Sequence, residues 1–208
     1  MARTRTALIV AVLLVATACT GNKSTTTSSA HSAERITVSN HGGELEGHTP
    51  TGFAGSGTGL FAGDNLNASF PDGVGVQLYV TFTLPRDVGI SDARIVSDAL
   101  HVSGTPFEDL GPLLVEPVSY ETFGPELFDL VATGPHSECT VMGETSIVCD
   151  VGTAIGELVG EGSATAQFRI RFTRPADGDG QQDLAMFFRR DSNTNEIGIF
   201  ELEITPDI

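Results

Sequence analysis

Two segments alternate so strictly that only an extended backbone suits them. Residues 76–84 read VQLYVTFTL and residues 164–173 read ATAQFRIRFT. Val76, Leu78, Val80, Phe82 and Leu84 share one side of the first, and Gln77, Tyr79, Thr81 and Thr83 share the other. Ala166, Phe168, Ile170 and Phe172 share one side of the second. A strand turns successive side chains to opposite faces, so each segment predicts a strand with one face in a core. The rest of the chain follows suit. Residues 35–39 (RITVS), 147–151, 184–189 and 198–204 (GIFELEI) read as further strands. Residues 90–101 (ISDARIVSDALH) fit a strand pair or a short helix, and β-branched Ile95-Val96 favours strand. Residues 112–120 (PLLVEPVSY) form a strand whose internal proline predicts an edge position. Residues 40–59 predict a long loop or an irregular edge, and residues 153–159 (TAIGELV) a single helical turn. Twenty-four glycines and ten prolines supply turns. Roughly eight to ten short strands with few helices predict an all-β chain, a single jelly-roll-like β-sandwich.

The amino terminus sets the compartment. Arg3 and Arg5 precede an uncharged run, residues 7–18 (ALIVAVLLVATA), and then Cys19. Twelve helical residues rise about 18 Å, short of the roughly 30 Å hydrocarbon core, so a signal peptide fits better than a permanent span. Val15-Ala16-Thr17-Ala18-Cys19 resembles the lipobox of bacterial lipoproteins. That resemblance implies a signal peptide at residues 1–18, acylation of Cys19 on sulfur by palmitate-like chains, and a lipid bilayer as partner. The alternative is an ordinary secretory signal with a chance cysteine. Residues 20–33 (TGNKSTTTSSAHSA) carry too little apolar surface to offset ordering entropy, so residues 19–33 predict a flexible tether. Residues 34–208 then form the sandwich domain, exported and lipid-anchored to a bacterial membrane.

Charge and cysteines fit that setting. Eleven basic and 27 acidic residues give −16, and removing Arg3 and Arg5 with the signal peptide leaves about −18. Such a surface repels nucleic-acid phosphates and anionic headgroups, so no nucleic-acid partner is expected. Cys139 and Cys149 flank a strand–turn–strand pattern with its turn at Gly143-Glu144. In an exported protein such a pair predicts a disulfide, with two free buried thiols as the alternative. No His or Cys spacing supports zinc.

Two family resemblances extend the reading. Leu78-Tyr79-Val80-Thr81-Phe82-Thr83-Leu84-Pro85, followed by Ile90-Ser91-Asp92-Ala93-Arg94-Ile95, resembles the opening of DNRLRE-type domains, jelly-roll sandwiches related to carbohydrate-binding modules. Cys149-Asp150-Val151, Phe168-Arg169-Ile170-Arg171-Phe172 and Met186-Phe187-Phe188-Arg189 resemble later segments of the same domains, over residues 64–204. This implies non-catalytic binding of a polysaccharide. Cys149-Asp150-Val151-Gly152-Thr153, with Gly160-Glu161-Gly162-Ser163-Ala164-Thr165, resembles the end of Ig-like repeats of bacterial surface proteins. That implies a structural or adhesive module with a protein partner. A hydrolase ranks third.

Three sets of residues could carry chemistry. Asp177, Asp179 and Asp183 alternate with glycines and glutamines, and Asp191, Asn193 and Asn195 repeat the pattern. Alternating oxygen ligands suit a structural calcium ion, although the same residues make ordinary polar hairpin loops. Tyr79, Tyr120, Phe123 and Phe128 are the aromatics that could stack on a sugar. Signatures of an enzyme are missing: Ser56 has Ala54 where a nucleophile elbow needs glycine, and residues 55–59 (GSGTG) lack the lysine of a phosphate loop.

Overall fold

The computed structural model describes the backbone of residues 36–39, 46–48 and 54–55, and residues 60–64, 66, 75–122, 125–188 and 199–207. All lie in one unit, Ser32–Ile208. Cys19, Phe123, Asp191, Asn193 and Asn195 fall outside the described residues.

Thirteen strands appear among the described residues: β1 (Ile36–Ser39), β2 (Glu46–His48), β3 (Ala54–Gly55), β4 (Leu60–Asp64), β5 (Gln77–Thr83), β6 (Ile90–Ser97), β7 (Leu100–Ser103), β8 (Leu113–Val118), β9 (Ser137–Met142), β10 (Ser146–Asp150), β11 (Thr165–Phe172), β12 (Asp183–Phe187) and β13 (Glu201–Pro206). Ten form one sheet in the order β1-β13-β6-β10-β9-β8-β11-β5-β2-β3, and β4-β12-β7 form a second. The paired strands are antiparallel. The large sheet curls into a sandwich-like arrangement, so the chain is all-β as its alternation predicts.

The inward side chains meet in one core. Ile95, Ile147, Cys149, Leu202 and Ile204 come from one half of the curled sheet, and Leu78, Val80, Phe82, Val115, Phe168 and Ile170 from the other. Leu60, Ala62, Leu100, Ala185 and Phe187 add the three-stranded sheet to the same core. Phe187 packs on Phe200 with ring centroids 4.8 Å apart, and Phe107 meets Phe172 edge-on at 5.3 Å. Each buried large side chain contributes roughly 1.5–3 kcal/mol by leaving water.

Local chemistry explains where the sequence reading needs revision. Pro117 does not mark an outer strand: β8 lies inside the large sheet, between β9 and β11. Its proline is tolerated because β9 pairs only with Leu114 and Val115; beyond them a loop, not a strand, lies alongside, and the Pro117 carbonyl accepts the Thr133 N–H at 2.8 Å. Residues 90–101 split into β6 and β7, which belong to different sheets. The single turn expected at 153–159 is a nine-residue helix, α2 (Gly152–Gly160). The Asp150 carboxylate accepts the Gly152 N–H at 2.9 Å at its start, and Ile155 anchors it in the core. A short helix, α1 (Pro106–Asp109), and a 3-10 turn (Pro125–Asp129) complete the elements.

Candidate functional site

The outer face of β5, β8 and β11 is the most unusual surface of the molecule. Strand phase puts Gln77, Tyr79 and Thr81 there, as predicted, but the face is not solvated. Gln77 to Phe82 are all buried. The chain following β8 returns over this face through the 3-10 turn, so Tyr79, Val118 and Leu127 form a second apolar cluster with Tyr120 and Leu130 packed on it. Tyr79 is therefore no surface aromatic. It is fully buried, and its hydroxyl donates to the Leu127 carbonyl at 2.6 Å and lies 3.1 Å from Gln77 Oε1.

An ion triad sits in the same layer. Register places Glu116 of β8 opposite Arg169 of β11, and Arg169 opposite Tyr79 of β5. Glu116 Oε2 accepts Arg169 Nε at 2.8 Å and Nη2 at 2.5 Å. Arg171 forks the same carboxylate, with Nε to Oε2 at 3.0 Å and Nη2 to Oε1 at 2.6 Å. Arg169 Nη1 also donates to the carbonyls of Phe128 and Leu130, at 3.2 and 2.9 Å. One guanidinium thus fastens the 3-10 segment to the sheet. Charge-assisted and bidentate bonds of this kind are the strong ones.

The environment acts on both titratable partners. Burial pushes the Glu116 carboxyl up, but the hydrogen bonds and charges of Arg171 and Arg169 outweigh it and hold the group below its ordinary 4.5. Burial pushes the Tyr79 hydroxyl up to about 12, against the lowering charge and hydrogen bond of Arg169.

A cavity of about 220 Å³ opens beside the triad, lined by Gln77, Phe128, Asp129, Arg169 and Arg171, with Val76 and Pro175 at its apolar side. Phe128, one of the sequence candidates, is half-buried on its wall. Tyr120 is half-buried too, edge-on to Tyr79 with centroids 5.8 Å apart, and its backbone N–H donates to Gln167 Oε1. The two aromatics are packed pieces of the 119–130 segment rather than an open platform.

The acidic residues converge in part. Asp177 and Asp183 lie with Asp109 of α1 so that one carboxylate oxygen of each falls within 4.8 Å of the others. Asp183 is buried, opposite equally buried Asp64 across β12 and β4, and its Oδ1 accepts the Thr105 N–H at 2.6 Å. Gly104, with φ of +71°, is required here because a Cβ would collide with Asp183 and the Gln182 carbonyl. Asp179 stands apart, accepting from the Gln181 backbone and side chain. Asp109 was not singled out from the sequence because it lies about 70 residues upstream, in a different loop.

Cys139 and Cys149 form the expected disulfide, S–S 2.04 Å, across directly opposed positions of the β9–β10 hairpin. The triad was missed by sequence reasoning. Its signal was a lone Glu116 inside an apolar strand and two arginines in one polar phase of another.

These features define a sandwich-like, disulfide-stapled β protein with a small cavity of mixed polar and apolar lining on its outer layer. No protein-family model matches the chain, and no curated protein matches it.

Proposed function

We propose that the chain is an exported, membrane-anchored lipoprotein whose β-sandwich is a non-catalytic module binding polysaccharide at the cell envelope. The anchor reading rests on Val15-Ala16-Thr17-Ala18-Cys19 and agrees with a disulfide, which persists in oxidising compartments. The observation that carries the binding reading is the cavity under the 3-10 turn, where Phe128 supplies an apolar wall and Gln77, Asp129 and Arg171 supply polar contacts. At about 220 Å³ it is smaller than the roughly 300–1,000 Å³ of sites for drug-sized ligands, and suits one sugar ring. The sequence resemblance of residues 64–204 to DNRLRE-type domains points the same way.

The adhesive, Ig-like alternative is favoured by a different observation. Val141 and Met142 on the stapled hairpin, and Val131, are exposed apolar side chains of the sort a protein partner covers. A glycan array probed with the full chain separates the readings. Saturable binding to a defined glycan supports the first, and a uniformly blank array overturns it. A structural calcium ion belongs to the same proposal, with Asp177 and Asp183 as ligands and Asp109 taking the place expected of Asp179. Calcium should raise the melting temperature, because binding to the native state stabilises it; an unchanged transition with calcium and with chelator removes the ion.

A further inference from the structure

The cavity beside the triad has a charge-matched handle. Arg171 carries five N–H groups. Nε and one Nη2 hydrogen go to Glu116, and one Nη1 hydrogen goes to the Phe172 carbonyl at 3.1 Å. One N–H on each terminal nitrogen is left over, with no partner among the described residues. These two N–H groups are further charge-assisted donors that an anionic oxygen can take. Asp129 lines the cavity but makes no ion pair with either arginine. The Arg171 side chain is 26% exposed, against 7% for Arg169, so it is the reachable member of the triad.

We infer that this cavity binds the carboxylate of an acidic sugar, a uronate unit, on the two remaining N–H groups of Arg171. This rests on the polysaccharide-binding reading and narrows it. A uronate ring carries a carboxylate and neighbouring hydroxyls on one small frame. The carboxylate takes the two Arg171 donors, Gln77 offers an amide, and Phe128 covers a ring face. A neutral hexose leaves those donors without a charged acceptor. The domain's overall negative charge opposes entry of an anion, so added salt, which screens beyond roughly 8 Å, favours binding rather than weakening it.

The test is calorimetric titration of the full chain with D-galacturonate and, separately, D-galactose. Galacturonate should bind with a Kd of roughly 1 mM, within the weak range of single-sugar contacts, and galactose at least about tenfold more weakly. Arg171→Gln should lose about tenfold or more. Because that change also disturbs the triad, exposed Asp129 gives a second reading: Asp129→Asn removes a like charge from the rim and should tighten galacturonate binding about threefold. Equal binding of both sugars, unchanged affinity in both variants, or tighter binding of N-acetyl-dialanine, a peptide carboxylate, each overturns the inference. A silent titration alongside neutral glycan hits on the array sinks the uronate site alone. Silence in both sinks the polysaccharide reading as well.

Discussion

Replacing Glu116 by alanine isolates the cost of an unpaired buried charge. The substitution removes the acceptor of four hydrogen bonds, two from each arginine. It leaves guanidiniums whose side chains are only 7% and 26% exposed. Breaking a buried pair from one side costs about 3–5 kcal/mol, because the remaining charge stays desolvated. Here Arg169 keeps the Phe128 and Leu130 carbonyls as acceptors and Arg171 can turn toward solvent, so about 3 kcal/mol is expected. A ready control is Arg94–Glu203, a pair at 2.6 Å with 39% and 21% exposure, where Arg94→Ala should cost at most about 1 kcal/mol. Urea unfolding of the full chain, followed by far-UV circular dichroism, gives both differences. The pH dependence carries a sign. The folded Glu116 carboxyl lies below its ordinary value, so its contribution is present above pH 4.5 and fades as pH falls through the lower folded value. Glu116→Ala should therefore narrow its gap to wild type in acid. A loss under about 1 kcal/mol at neutral pH, or a gap that widens in acid, refutes the reasoning.

Three other outcomes follow from particular residues. The Tyr79 hydroxyl, pushed up to about 12 in the fold against 10.0 in the unfolded chain, stays neutral while its unfolded counterpart ionises. Stability present below pH 10 should fall by about 2–3 kcal/mol between pH 10 and 12, and Tyr79→Phe should remove that fraction of the alkaline decline in urea midpoints. Gly156 is exposed within α2 and a Cβ there meets nothing within 4 Å, so Gly156→Ala should stabilise the fold by up to about 1 kcal/mol in thermal unfolding. The disulfide closes a sequence separation of 10, so Cys139→Ser with Cys149→Ser should cost about 2–3 kcal/mol under non-reducing conditions, a difference that vanishes against reduced wild type.

What was readable in the chain was local. The alternation of residues 76–84 and 164–173 named the inward sets of β5 and β11 correctly, because burial on one face imposes period two. Gly143 between the cysteines marked the hairpin, where φ is +66°. What was not readable depended on distant segments. Nothing near Tyr79 announces that Leu127 covers it, 48 residues on. Helix α2 was read short because three glycines, at 152, 156 and 160, mask its apolar face. Arg169 and Arg171 read as ordinary outward charges, and only the pairing of β8 with β11 turns them into a triad with Glu116. The candidate site was legible in fragments: Phe128 reached the cavity and Asp177 met Asp183, while Tyr79 and Asp179 did not serve the roles first expected.

The whole biological setting turns on residue 19. Cells expressing the chain can be grown with alkyne-tagged palmitate, lysed, and fractionated. The account predicts tagged protein in the membrane fraction, with Cys19→Ala giving untagged product that is no longer held there. Untagged wild-type protein of full length in the cytosol would contradict export and anchoring together.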